Sequence, residues 1–285
     1  MSREMGRGDE AGVSETVGFI IILGIVLTGI GLVTLYGYPV LISAQQNANI
    51  KNMERNMISL QSDFNMLTYK NVPYKETMLQ VSGGTLVSTD WSSTPQRFFI
   101  TQGIVETPVL DPVLFPGGYF YPGDLTYISN GNIATITLEN GAVITSWLSD
   151  NDGSAMLSEP RWYSDNATID ADPADEVTFV INLIQIHSDG ESRTGVSHVD
   201  LGISPLDLSP GASIENIVRF EPPSDNTVSI RYEQNGSEKD YRIAWDNFFN
   251  QDVFADISGR RDFKLVVTNV DRLIVKGYVI HVDLH

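Results

Sequence analysis

VGFIIILGIVLTGIGLVTLYGYPVLI, Val17 to Ile42, carries no charged side chain from end to end. About 20 apolar residues are enough for a helix to cross the hydrocarbon of a bilayer, so this stretch spans with tilt to spare. A helix of that length in a soluble core would show a polar face, and this one shows none. Gly18, Gly24, Gly29, Gly31 and Gly37 would weaken a water-exposed helix. In a membrane they are common, because they let neighbouring backbones approach closely. Pro39 near the outer end is expected to kink the helix.

The apolar run is preceded by MSREMGRGDEAG, residues 1–12, which is short, polar and glycine-rich. A secretory signal places small residues after an apolar core of about 7 to 15 residues. Here Ala11 and Gly12 come before the run, so cleavage there would leave the hydrophobic helix at the new N-terminus.

The residues AGVSETVGFIIILGIVL resemble the N-terminus of archaeal type IV pilin-like proteins, which carry a class III signal peptide cut by a prepilin-type peptidase. The resemblance implies that Gly12 ends the leader and Val13 opens the mature chain. Ser14 to Gly18 then match the family's Val-Ser-x-x-Val/Ile-Gly opening. Asp9 and Glu10 depart from the pattern, standing where a basic residue often precedes the cut. Glu15 falls at the third mature position, whereas bacterial pilins bury a glutamate at the fifth. The motif covers about the first fifth of the chain. Farther on, LENGAVI (Leu138 to Ile144) loosely resembles the β-rich ectodomains of uncharacterised archaeal members. The partners implied are the lipid bilayer, the peptidase and other pilin-like subunits.

The chain has a net charge of −18 and a pI near 4.4, and a bare acidic surface of that kind repels nucleic acid. There are no cysteines, which excludes disulfides and thiolate chemistry. Lys and Arg near the two ends of the apolar run balance, Arg3 and Arg7 against Lys51 and Arg55. Orientation is therefore taken from the pilin resemblance: N-terminus cytoplasmic, remainder extracellular. Two sequons, Asn166-Ala167-Thr168 and Asn235-Gly236-Ser237, fit an outside location and make Asn166 and Asn235 glycosylation candidates.

Beyond Ile42 the helical period continues. Ile50, Met53, Met57, Leu60, Phe64 and Leu67 fall at alternating spacings of three and four, with polar residues between them. The stripe has two natural partners, the chain's own β domain or neighbouring subunits in a filament. Asn71-Val72-Pro73 ends the helix, since the residue before proline is pushed out of helical geometry.

From Thr77 on, the pattern is β. Expected hairpins are Met78–Val81 with Thr85–Ser88 across Ser82-Gly83-Gly84, and Leu125–Ser129 with Ile133–Leu138 across Asn130-Gly131-Asn132. A further turn at Glu139-Asn140-Gly141 extends the second hairpin into a meander. Val177 to His187 reads as a central strand, and Phe263–Thr268 with Leu273–Leu284 as a terminal hairpin. Ser237-Glu238-Lys239-Asp240 resembles a capping box before a helix whose face carries Tyr241, Ala244, Trp245, Phe248 and Phe249. The expected fold is α+β, mainly β. A long N-terminal helix (13–72; membrane part 17–42, amphipathic part 43–70) is followed by an antiparallel β-sandwich-like domain (73–285) with one short helix.

Enzyme signatures are missing: there is no G-x-x-x-x-G-K-[ST] loop, G-x-S-x-G elbow or H-E-x-x-H helix. The sequence therefore predicts no catalytic or cofactor-binding residue. His281, Asp283 and His285 alternate onto one strand face at the chain end, a poor place to fix a metal. The acidic loops 150–153 and 170–176 lack the spacing of a helix–loop–helix calcium site. The aromatic loop 115–124 fits either a packed β corner or an exposed glycan-binding surface. If the resemblance holds, the assembly residues are Glu15 and the small-residue face Gly24, Thr28 and Gly31, spaced by four and three. A membrane-tethered binding module or adhesin is the alternative, and an anchored hydrolase a third.

Overall fold

The computed structural model describes residues 9–70, 72–147, 153–164, 178–208, 217–220, 227–235, 240–250, 264–268 and 270–285, with side chains from Glu15 onward except at 217–220. It divides into two units, Met1–Ala48 and Asn49–His285. The helical residues Ile50 to Leu67 share a core with the β strands of the second unit.

In the first unit, helix α1 spans Asp9–Leu32, a π turn covers Val33–Gly37, and helix α2 begins at Tyr38. The π turn sits just ahead of Pro39. A proline within a helix cannot donate to the carbonyl four residues back, and its ring crowds that carbonyl. A wider turn there accommodates it. Every large apolar side chain from Phe19 to Leu41 is exposed in this chain.

In the second unit, α2 runs on to Lys70 and its stripe is closed off: Ile50, Met53, Met57, Leu60, Phe64 and Leu67 are each at most 1% exposed. They pack on Leu79, Val81, Leu86, Tyr127, Ile136, Leu201 and Val282 of a ten-stranded sheet. The chain's own β domain is therefore the stripe's partner. Two polar contacts fix the register of helix on sheet. Gln61 donates from Nε2 to the carbonyls of Gly141 (2.6 Å) and Glu159 (3.0 Å) and accepts from Ser158 Oγ (2.5 Å). Asp63 accepts from Lys75 and from Thr77 Oγ1 (2.6 Å).

The large sheet contains β1 (Tyr74–Thr89), β5 (Asp124–Ser129), β6 (Ala134–Glu139), β7 (Ala142–Trp147), β8 (Ser154–Ser158), β9 (Tyr163–Ser164), β10 (Thr178–His187), β11 (Ser192–Pro205), β12 (Ile217–Phe220) and β15 (Arg272–Leu284). Its strand order is β8-β7-β6-β5-β1-β11-β15-β10-β9, with β12 also paired to β15. The smaller sheet holds β2 (Gln96–Gln102), β3 (Thr107–Pro108), β4 (Tyr119–Phe120), β13 (Val228–Gln234) and β14 (Lys264–Val267). The two sheets enclose a second core that includes Phe98, Ile100, Ile144, Phe179, Ile181, Ile230, Leu265, Leu273 and Val275.

Helix α3 (Arg242–Phe249) supplies Trp245, Phe248 and Phe249 to that core, where Trp245 meets Phe98 edge-on at 4.8 Å between centroids. The aromatic face of α3 is thus buried, as its spacing indicated. The aromatic loop is likewise a packed corner: Phe115 and Phe120 are buried, and Tyr119 lies 4.7 Å from Phe99.

The meander β5–β6–β7 forms as expected, and β10 lies inside the sheet. Two expectations are corrected. Ser82-Gly83-Gly84 is not a hairpin turn but a bulge within the single strand β1, which pairs with β11 before and after a register shift and with β5 along its second half. Gly83 has φ +68°, and a Cβ on Gly84 would lie 2.3 Å from the Ile128 carbonyl, so these glycines bend a strand rather than reverse the chain. The C-terminal hairpin does not form: β14 joins β13 in the small sheet while β15 joins β10 and β11 in the large one. The fold is α+β, mainly β with antiparallel pairing, as expected, and among the described strands it includes one parallel pair, β10 with β15, from Thr178↔Arg272 to His187↔His281. Helix α3 starts at Arg242, whose N–H donates to Asp240 Oδ1 at 2.9 Å; Ser237 of the expected capping box lies outside the described residues.

Candidate functional site

Three places carry the residues that sequence reasoning singled out. The first is the bare helix. Gly12 and Val13 lie within α1, but their side chains are outside the described residues. Glu15 is exposed. An added Cβ at Gly18, Gly24, Gly29 or Gly31 would meet nothing within 4 Å. Thr28 Oγ1 donates to the Gly24 carbonyl at 2.7 Å, and Thr34 Oγ1 to the Ile30 carbonyl at 2.9 Å. The two threonine hydroxyls on this apolar helix are thus satisfied by its own carbonyls. Thr28 folded back on Gly24 keeps that side of the helix low, with Gly31 almost two turns above Gly24 on the same side.

The second place is the sequon pair. Asn235 is exposed at the end of β13, with its backbone N–H donating to the Pro95 carbonyl at 3.1 Å. Asn166 and the acidic loop 170–176 lie outside the described residues, as does the loop 150–153 apart from Gly153.

The third place was only partly visible in sequence. On β15, Leu273, Val275 and Val279 face the small sheet; the same side of the strand then continues as His281, Asp283 and His285, all exposed. On β10, Phe179, Ile181 and Leu183 are likewise followed by His187. Among the described residues the small sheet has no strand opposite this end of the large sheet, where His281, Asp283 and His285 are exposed. The neighbouring strands add Tyr74, Glu76 and Met78 from β1, and Val196, His198 and Asp200 from β11. The chain's four histidines thus share one face. Their contacts are pairwise: His198 Nδ1 to Glu76 Oε1 at 2.9 Å, His285 Nε2 to Asp200 Oδ2 at 3.5 Å, and His281 Nε2 to Ser204 Oγ at 3.0 Å. The rings of His187 and His281 meet edge-on at 5.4 Å, and Trp91 stacks on His187 at 5.9 Å. Burial holds His187 below the ordinary imidazole value; Asp90 pulls it up and His281 pushes it further down. Among the described residues, no three His, Asp or Glu side chains are grouped so as to hold a metal ion.

Inside the fold, sequence reasoning missed an acidic pair. Asp124 and Glu139 lie in the core beneath α3. Asp124 accepts from Thr126 Oγ1 (2.6 Å), Thr126 bonds Thr137 (2.8 Å), and Thr137 bonds the Tyr241 hydroxyl (2.7 Å). Trp245 Nε1 donates to Glu139 Oε1 at 2.5 Å. Burial nevertheless pushes the Glu139 carboxyl up to about 8, outweighing the indole hydrogen bond, so it is chiefly protonated at neutral pH. No local pattern marks it, because Glu139 opens a turn that reads as solvent-facing.

Residues 11–198 match a family described as a family of unknown function (DUF7289). The chain belongs to that family. The match starts just ahead of Val13 and runs through both helices to His198 on β11, so the apolar helix and most of the large sheet are family features. Nothing matches among curated proteins or among solved structures.

Proposed function

We propose that this protein is a pilin-like surface protein anchored by its N-terminal helix, a subunit or minor component of an archaeal type IV pilus-like filament, with its β domain outside the cell. What supports this reading is the change of ownership along one continuous helical run. From Ile50 to Leu67 the apolar stripe is used up by the chain's own sheet, while the large apolar residues from Phe19 to Leu41 are exposed. The first part holds the domain, and the second is left for lipid and for other helices. One span of this run is long and apolar enough to cross a membrane. A prepilin-type peptidase cutting between Gly12 and Val13 is part of the reading. So is an exposed Asn235 carrying a glycan, as are neighbouring subunits packed on the face of Gly24, Thr28 and Gly31.

Replacing both Gly24 and Gly31 with leucine tests it. A Cβ added at either position meets nothing within 4 Å, and leucine is more apolar, so membrane insertion is expected to persist. Filaments are expected to disappear under electron microscopy, because the added bulk holds backbones apart. Glu15→Ala is expected to weaken assembly without affecting insertion, since a carboxylate at the edge of an apolar core needs a partner, here the amino group freed at Val13 of a neighbour. Mass spectrometry is expected to find the mature terminus at Val13. Leucine variants that assemble normally, or a wild type that stays in the membrane without filaments, leave a tethered binding module as the better account. An anchored hydrolase calls for paired carboxylates in an open cleft, and the Asp124/Glu139 pair is closed in the core.

A further inference from the structure

Two Asn-Gly pairs turn the same meander. Asn130-Gly131 joins β5 to β6, and Asn140-Gly141 joins β6 to β7. Their backbones bend alike, with both glycines at φ +75°. Their surroundings differ. Asn130, Gly131 and Asn132 are all exposed, and among the described residues no hydrogen bond holds the Asn130 side chain. A Cβ added at Gly131 would meet only the Ile133 side chain, at 3.9 Å. Asn140, by contrast, is 1% exposed, and its Oδ1 accepts from the Ile184 N–H at 2.8 Å. The Gly141 carbonyl accepts from Gln61 Nε2 at 2.6 Å, and a Cβ added at Gly141 would lie 3.1 Å from Ile184 Cδ1. One turn is open to water, and the other is held from α2 and from β10.

An asparagine followed by glycine is open to attack from its own backbone. Hydroxide takes the proton of the glycine N–H, and that nitrogen attacks the asparagine Cγ. A bond forms between them, and the bond from Cγ to the side-chain nitrogen breaks. The leaving nitrogen takes a proton from water and departs as ammonia. The cyclic imide left behind adds one water at either carbonyl and opens. Opening at one carbonyl gives aspartate; opening at the other gives iso-aspartate, in which the backbone runs through the side-chain carbons. Nothing is oxidised or reduced. Glycine favours the attack because it has no Cβ to block the approach and leaves its peptide plane free to swing. The reaction therefore needs a mobile side-chain amide, room for the peptide plane, and water.

We infer that Asn130 is a site of spontaneous deamidation, converted through its own imide to aspartate and iso-aspartate, while the fold keeps Asn140 as the amide. The exposed turn at Asn130 supplies all three needs. At Asn140 the Ile184 N–H holds the amide oxygen, Gln61 holds the next carbonyl, and burial excludes water. Conversion there has to wait for the meander to open locally from α2 and β10. The product changes the β5–β6 turn. It adds one negative charge beside the closure where the Ala134 N–H donates to Ser129 Oγ at 2.8 Å, and the iso form lengthens the turn backbone by a methylene group. The inference rests on neither the membrane anchor nor filament formation.

The test incubates the full chain in detergent micelles in a mildly alkaline buffer and maps timed digests by mass spectrometry. Conversion at Asn130 is expected to be at least about tenfold faster than at Asn140, which corresponds to a local opening cost of about 1.4 kcal/mol or more at the protected turn. In the urea-unfolded chain the two are expected to convert at similar rates, since both precede glycine. The peptide that covers Asn130 is expected to hold both aspartate and iso-aspartate. Asn130→Gln, whose longer side chain would have to close a larger ring, is expected to stay an amide over the same period. Equal conversion of Asn130 and Asn140 in the folded chain overturns the inference. So does an Asn130 that survives as the amide in the folded chain while the unfolded chain converts. A product of aspartate alone means direct hydrolysis of the amide and equally overturns it.

Discussion

Two segments of one helical run, Phe19 to Leu41 and Ile50 to Leu67, are both rich in large apolar side chains and end in opposite environments. The first is apolar all round, and its large side chains are exposed. The second gathers Ile50, Met53, Met57, Leu60, Phe64 and Leu67 on one stripe that is buried, with Ile58 and Met66 half-buried beside it. A stripe can be satisfied by one sheet face, but a cylinder needs a surround. The pattern around the helix, more than the amount of apolar surface, decides whether a segment belongs to its own domain or to something outside it.

That contrast makes the stripe the most sensitive place in the β domain. Phe64→Asp puts a charge into the closed core between α2 and the large sheet and is expected to unfold the domain, seen as loss of the thermal transition in circular dichroism. Leu60→Ala is expected to cost about 2–5 kcal/mol in urea unfolding, by lost burial and a cavity. Leu27→Ala in the bare segment is expected to leave that transition where it was. An equal effect of Leu60→Ala and Leu27→Ala would break the comparison.

Glu139 gives a pH handle on the same domain. Its folded-state value, about 8, lies above the ordinary 4.5, so the folded state holds the proton more tightly than the unfolded chain. That contribution to stability is fully present below pH 4.5 and is lost as pH rises toward about 8. It amounts to a few kcal/mol in order of magnitude. Urea unfolding across that range is expected to show the decline, and Glu139→Gln is expected to flatten it.

A smaller effect is expected at Gln61. Truncation to alanine strands the carbonyls of Gly141 and Glu159 and the hydroxyl of Ser158, for a loss of about 1–3 kcal/mol. The same truncation at Gln45, on the polar stretch between the two segments, is expected to shift the unfolding midpoint negligibly.

Much of this architecture was legible because it rests on short-range periodicity. The stripe from Ile50 to Leu67, the stop before Pro73, the meander around Asn130-Gly131 and Asn140-Gly141, and the buried face of α3 each follow from spacing within about 20 residues. Errors came where a local signal had a non-local use. Gly83 and Gly84 look like a turn, yet they bend β1 so that it can serve β11 and β5. Phe263–Thr268 and Leu273–Leu284 look like a hairpin because they are adjacent, yet each strand finds its partners far back in the chain.

The sequence by itself determined that the chain has an uncharged apolar helix, an amphipathic continuation and a mainly β remainder, since periodicity and length depend only on residue order. Tertiary structure alone decided that β10 lies parallel to β15, that the small sheet ends before His281 and His187, and that Glu139 is sealed beneath Trp245. The physical reason is that alternation of apolar and polar residues fits a strand to almost any neighbour. Which strands meet, and therefore which of their polar residues share a face, is fixed only when the whole set of core side chains packs at once.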